Sequence, residues 1–216
     1  MKDLNRREFL KNSSKFAFAG FSVMMGLSPL LASTISNPNS SKNIFVYYTR
    51  TLNTHILVSY AQSLVGGALW QVQTAKPYPK DYQATVALAN EQRVGNILPQ
   101  ILAKPDLKGF ENVIIAAPLW GMDICAPMKS LLNSVNLQDK RLFLIITNAG
   151  FSLGESVKSV QKYAKIKQIA GVLDYSFKNY EKIVPNLLSL NQRQIALNKA
   201  FDTLDKRKIQ AFVKGL

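Results

Sequence analysis

The 216-residue sequence has a single cysteine, Cys125, and a single histidine, His55. One cysteine excludes an internal disulfide and any cysteine-built metal site. One histidine excludes a multi-histidine centre, and a hydrolytic triad would have to be built on His55 itself. That residue has no carboxylate near it in sequence and reads as a surface residue at the start of a helix. No G-x-G-x-x-G fingerprint, no nucleic-acid-binding motif and no repeat of solenoid length is present. Acidic residues are scarce, 13 against 27 lysines and arginines, for a net charge of +14. What remains is 47% hydrophobic and 19% charged, which suits one globular domain with a real core.

The first residues stand apart. Asn5-Arg6-Arg7-Glu8-Phe9-Leu10-Lys11 resembles a twin-arginine export signal. A moderately apolar run from Phe16 to Leu31 follows, broken by Gly20, Gly26 and Pro29 and ending in Ala32-Ser33. A membrane-spanning helix needs about 20 apolar residues. This run is shorter, so residues 1–32 are predicted to be a signal peptide cleaved near Ala32, with an uncleaved inner-membrane tether as the alternative. The expected destination is the periplasm, reached through the twin-arginine machinery, a route that carries folded proteins and often their cofactors. Residues 33–42, rich in Ser, Asn and Pro, read as a flexible spacer, and the domain as 43–216.

The leader holds five cations against two acids, which leaves +11 on the remainder. That excess predicts partners with acidic surfaces and contact with anionic membrane. Nucleic acid is not an expected partner. Lys158, Lys162, Lys165 and Lys167 form a denser set that reads as a solvated helix face.

Apolar runs at Ile44–Thr49, Leu69–Thr74, Val113–Ala117, Leu142–Thr147 and Gly171–Phe177 read as strands. The third and fourth are apolar without alternation, as central parallel strands covered on both faces must be. Pro118 is expected to end the third. Helices are expected from His55 to Val65, with Leu57, Ala61 and Leu64 inward, and after Asp81 to about Val94. A third helix starts at Pro127, and a fourth follows a capping box at Ser152–Glu155 with Val157, Val160 and Ala164 inward. A last helix is capped by Asn191 with Gln194 and carries Leu197, Phe201, Leu204, Ile209, Phe212 and Val213. Gly95 to Glu111 reads as loop, in which Ile97–Leu102 buries a short turn. Alternation of strands and helices gives an α/β fold, an open doubly wound parallel sheet of five strands.

In such sheets ligands bind beyond the carboxyl ends of the strands. Three loops leave those ends. Thr49–Thr54 places hydroxyls and an amide at a helix N-terminus, which either receives a phosphate or caps the helix. In the loop from Pro118 to Ala126, Trp120 followed by Gly121 offers a flat stacking surface beside a pliable backbone, or else Trp120 plugs the edge of the core. Thr147–Gly154 is small, with free N–H groups. Cys125 beside the second loop reads as inert packing.

The blocks YYTRTLNTH, KPYPKDY, PLWGMDICAPM and TNAGFSLG, in that order, resemble the flavodoxin-like family, in particular its branch with the pattern aromatic-Ser/Thr-Arg-Thr-Gly-Asn-Thr. The resemblance spans Asn43 to about Tyr175. It implies noncovalent FMN binding and electron transfer. Thr49, Arg50, Thr51, Leu52, Asn53 and Thr54 would form the phosphate loop. Pro118, Leu119 and Trp120 would flank the isoalloxazine, with Trp120 stacked on it and the backbone of Gly121 and Met122 near its N5 edge. Thr147, Asn148, Ala149 and Gly150 would line the pyrimidine side. The family glycine of the phosphate loop is Leu52 here, and the histidine common early in the third loop is Asn148. Lys76–Tyr82 reads as a tie between the second strand and its helix, with a lid near the ring as the alternative. The implied role is an exported electron carrier serving redox partner proteins. The alternatives are an FMN-dependent NAD(P)H or quinone reductase acting on a small oxidised substrate, and a cofactor-free binding module.

Overall fold

A computed structural model describes residues 41–177 and 199–216. The leader, most of the spacer and the cap expected at Asn191 and Gln194 lie outside the described residues. The elements in chain order are β1 (Asn43–Tyr47), α1 (Asn53–Val65), β2 (Ala68–Gln71), α2 (Tyr82–Val94), β3 (Asn112–Trp120) and β4 (Asp123–Ile124). They continue with α3 (Ala126–Leu132), β5 (Arg141–Asn148), α4 (Ser156–Ala164), β6 (Gly171–Ser176) and α5 (Lys206–Val213). Residues 199–202 are also helical.

Five strands run parallel in the order β2-β1-β3-β5-β6. The two-residue β4 is a sixth, antiparallel to the end of β3. The expected five-stranded sheet is therefore correct for its parallel part and short by this hairpin. Side chains alternate between two cores. Ile44, Val46, Val113, Ile115, Leu142, Leu144 and Ile146 face α3 and α4, meeting Met128, Leu131, Leu132, Val160 and Ala164. Phe45, Tyr47, Ile114, Ala116, Phe143 and Ile145 face α1 and α5, meeting Ile56, Leu57, Ala61, Ile209 and Val213. Each buried aliphatic side chain contributes about 1.5–3 kcal/mol, so the doubly covered β3 and β5 dominate the fold.

Several boundaries differ from the sequence reading, each for a physical reason. Pro118 does not end β3; it pairs with Thr147 of β5 and the strand runs on to Trp120. Ala116 turns its carbonyl toward β1, accepting from Tyr48 N–H at 3.0 Å. Pro118, two residues on, points the same way, where β1 has already ended, so its missing N–H removes no ladder bond. The second strand stops at Gln71; Thr74 instead forms an isolated antiparallel bridge with Ile101, which is not in a turn of its own. On α1, Leu57 and Ala61 are buried but Leu64 is exposed, because Ile56, Val58 and Tyr60 take the inner positions.

Ser152 does not cap a helix. Its hydroxyl donates to Asp174 Oδ2 at 2.8 Å, and α4 begins four residues later with Glu155 at its N-cap. Asp81 does cap α2, accepting from Ala84 N–H at 2.8 Å. The lysines at 158, 162, 165 and 167 are exposed as expected.

Leu144 is fully buried between two neighbouring strands and one helix layer. Leu144→Ala is expected to cost about 3 kcal/mol, read as a lowered urea midpoint with an unchanged slope.

Candidate functional site

The sheet order reverses between β1 and β3, and the three loops expected to matter all leave the carboxyl edge at or beside that reversal. The first loop begins with Tyr48 still bonded to β3 and ends at Leu52, which adopts φ 68 and ψ −8. A left-handed leucine costs about 1–2 kcal/mol, the strain that glycine would avoid. Leu52 is the N-cap residue of α1, with its carbonyl accepting from Ile56 N–H at 2.8 Å, yet it has no polar side chain to cap with. The first N–H groups of the helix have no intrahelical acceptor, and no acidic side chain stands in the first turn. Asn53, 3% exposed, leaves both Nδ2 and Oδ1 without a partner, a condition shared only by the Ser156 hydroxyl among the described residues.

Thr54 Oγ1 lies 2.8 Å from Thr147 Oγ1, tying the first loop to β5 across β3. Arg50 sets its guanidinium over the Tyr82 ring at 5.7 Å. His55 is not a surface residue: it is half-buried, and its Nδ1 shares a 2.7 Å hydrogen bond with Tyr47 Oη. Burial holds the imidazole pKa below its usual value and raises that of Tyr47.

The second loop is a two-residue hairpin. Leu119 pairs with Ile124 and Trp120 with Asp123, while Gly121 and Met122 turn the chain with φ 57 and φ 65. Two consecutive left-handed residues make the primed turn that a twisted hairpin prefers. Asp123 fastens the hairpin to the helices behind it. Its Oδ2 accepts from Lys129 Nζ at 2.5 Å and from Ser159 Oγ at 2.8 Å, and its Oδ1 accepts from Ile124 N–H at 2.7 Å.

Trp120 is half-buried and surrounded. Tyr48 meets it edge-on at 5.5 Å and 90°, and Tyr78 at 5.0 Å and 68°. The indole is thereby held in an aromatic cluster at the edge of the core. Cys125, 1% exposed, sits beneath, its thiol pushed up to about 12 by burial, as inert packing requires.

The third loop is organised by Asn148. Its Oδ1 accepts from the Gly150 and Phe151 N–H groups at 2.8 and 3.1 Å, and its Nδ2 donates to Asp174 at 2.6 Å. Asn148 is buried, so it shapes the loop from behind, while Ala149 and Gly150 are exposed. The second and third loops meet backbone to backbone. Glu155 N–H donates to Met122 O at 2.8 Å, and a Cβ on Gly154 would lie 2.1 Å from that oxygen.

Of the residues expected at the site, Thr49, Arg50, Thr51, Leu52 and Asn53 gather at the head of α1. Pro118, Leu119, Trp120, Gly121 and Met122 lie on the adjoining strand end, and Thr147–Gly150 on the next. The sequence reading missed Tyr48, Tyr78, Arg93 and Asp174 as neighbours of these loops. Tyr48 and Tyr78 stand in the singled-out blocks YYTRTLNTH and KPYPKDY, signals visible in the sequence; Arg93 and Asp174 carry none.

The donor set at the head of α1 fits an anion. Uncapped N–H groups, a buried unpaired amide and the positive end of a 13-residue helix converge there. The ring side is shaped but covered, since Tyr48 and Tyr78 already occupy the surroundings of Trp120.

No protein-family model matches the chain, and no curated protein matches it in sequence. Solved structures do share its fold. A flavoprotein of Lactobacillus acidophilus NCFM in complex with FMN is 21% identical with a TM-score of 0.54, covering 66% of this chain and 98% of that one. The apo-form of the flavoprotein from the same organism gives 20% and 0.52, covering 68% and 99%. A proposed flavoprotein of Bacteroides eggerthii DSM 20697 gives 20% and 0.56, covering 62% and 87%. The α/β fold of these flavoproteins is thus the fold of this chain.

Two outcomes follow from the geometry. Asn53→Leu, which removes a buried unpaired amide, is expected to stabilise the ligand-free protein by about 1–2 kcal/mol in urea unfolding. His55, its pKa depressed by burial, adds no pH dependence while both states are neutral. Below about pH 6.5 the unfolded chain takes up its proton first, so stability falls as pH drops. Urea midpoints at about pH 5 and about pH 7.5 should show that fall in the wild type and a smaller one in His55→Asn.

Proposed function

We propose that this chain binds FMN noncovalently at the carboxyl edge of its sheet and carries electrons between partner proteins in the periplasm. The observation that carries the reading is the head of α1: an uncapped helix terminus at the switch in strand order, with the Asn53 amide buried and unpaired. The fold shared with an FMN-bound flavoprotein supports it. When bound, FMN supplies one- and two-electron redox chemistry that no side chain offers.

The chain's own residues would divide the work. Thr49, Thr51, Asn53 and the first N–H groups of α1 hold the phosphate, and Arg50 adds a cation beside it. Thr54 joins the phosphate loop, its hydroxyl bonded to Thr147 holding the loop to β5. Pro118, Leu119 and Trp120 flank the ring, and the Gly121–Met122 turn presents backbone to its edge. Thr147, Asn148, Ala149 and Gly150 close the pyrimidine side, with Asn148 acting through the loop conformation it enforces.

A carrier is favoured over an NAD(P)H or quinone reductase because the sequence holds no dinucleotide fingerprint. The net +11 outside the leader suits acidic redox partners and an anionic membrane surface. Residues 1–32 supply the twin-arginine address, cleaved near Ala32 or retained as a tether.

Titration of the purified, folded protein with FMN tests this. Saturable quenching of flavin fluorescence at micromolar protein is expected, weakened at least about tenfold, or 1.4 kcal/mol, in Asn53→Leu. A colourless protein that leaves flavin fluorescence unchanged would establish the cofactor-free module instead.

A further inference from the structure

Residues 75–100 leave the fold and rejoin it at one point. Thr74 and Ile101 form an isolated antiparallel bridge; Ala75 N–H donates to Gln100 O at 2.8 Å and Leu102 N–H to Gln73 O at 2.9 Å. This is a clasp, and α2 lies inside the excursion it closes. The hydrogen bonds that shape the excursion close on themselves. Thr85 Oγ1 donates to Pro79 O and Asp81 O at 2.8 and 2.9 Å, Ala84 N–H to Asp81, and Tyr78 Oη to Gln92 Oε1 at 2.5 Å.

Attachment to the rest of the molecule is thin. Of the thirteen residues of α2, only Thr85 and Gln92 are buried, and both are bonded within the excursion. Tyr82, Val86 and Val94 are exposed. A narrow cleft of about 20 Å³, room for one water, lies between Gln92, Arg93 and Ile97 on one side and Trp120, Lys129 and Tyr163 on the other. Some contacts cross from α2 to α3, and others fall on the candidate site. Tyr78 packs on Trp120 and Tyr48, the stem of Arg93 lies against Gly121, and Tyr82 lies under Arg50.

We propose that residues 75–100 move as one lid, hinged at the Thr74–Ile101 clasp and latched by the Tyr78 ring, and that opening bares Trp120 to a planar ligand. A segment with few buried contacts to its neighbours opens well below the cost of global unfolding. The internal hydrogen bonds keep it intact as it moves, and the two-strand clasp returns it to the same place. The motion stands on the packing alone; that the planar ligand is a flavin rests on the FMN reading above.

Hydrogen exchange on the full chain, with acrylamide quenching of Trp120 in a Trp70→Phe background, tests the motion without added flavin. Trp70 and Trp120 are the two tryptophans, so the background isolates one signal. Amides of α2 should exchange at least about 100-fold faster than those of α3 and β5. Tyr78→Ala should raise both α2 exchange and Trp120 quenching about fivefold or more and leave the sheet amides unchanged. Tyr78→Phe, which keeps the ring, should stay near wild type. Equal protection of α2 and α3, or Trp120 quenching unaltered by Tyr78→Ala, would overturn the lid. FMN association should accelerate in Tyr78→Ala. A lid that opens on a protein deaf to FMN would sustain the motion and sink the flavin, whereas flavin binding under an immobile α2 would do the reverse.

Discussion

A single hydroxyl pair, Thr54 against Thr147, sets the dimensions of the candidate site. The two residues are 93 apart in sequence and both are buried, and the 2.8 Å between their oxygens spans the strand that lies between them. With Thr147 also 3.5 Å from Ala117 O, the head of α1, the end of β3 and the end of β5 share one small polar knot. In buried surroundings such a bond is not readily traded for water, so its loss would leave the Thr54 hydroxyl without this partner. The spacing between the head of α1 and the third loop is held in part by that knot.

The parallel sheet was legible because its chemistry is local. Val113–Ala117 and Leu142–Thr147 are apolar on both alternating faces, and only a doubly covered strand tolerates that pattern. The head of α1 was legible for the same kind of reason, polar residues directly before an apolar helix. What escaped the sequence depends on partners that the fold, not the local sequence, brings together. Ser152 reads as a cap until Asp174, 22 residues later, takes its hydroxyl. His55 reads as a surface residue until Tyr47 is brought beside it by the sheet. Trp120 reads equally as plate or plug, because nothing local reveals Tyr78 leaning on it from a segment with two prolines.

Stability is distributed unevenly over this architecture. The sheet, α1, α3, α4 and α5 share two continuous cores, whereas α2 borrows little from either. At the head of α1 the chain accepts strain at Leu52 and an unpaired amide at Asn53. Both costs fall at the head of α1, and such local inconsistency inside an otherwise consistent fold is typical of functional sites.

Gly154 gives the hairpin of Gly121 and Met122 an unyielding neighbour. Its Cα rests against the Met122 carbonyl with no space for even one more carbon, and its φ of 51 lies where side chains are strained. Position 154 is therefore closed to every other amino acid while the hairpin keeps its place. Any redesign of the molecule, or any library of variants drawn from it, has to treat that glycine as immutable on steric grounds alone.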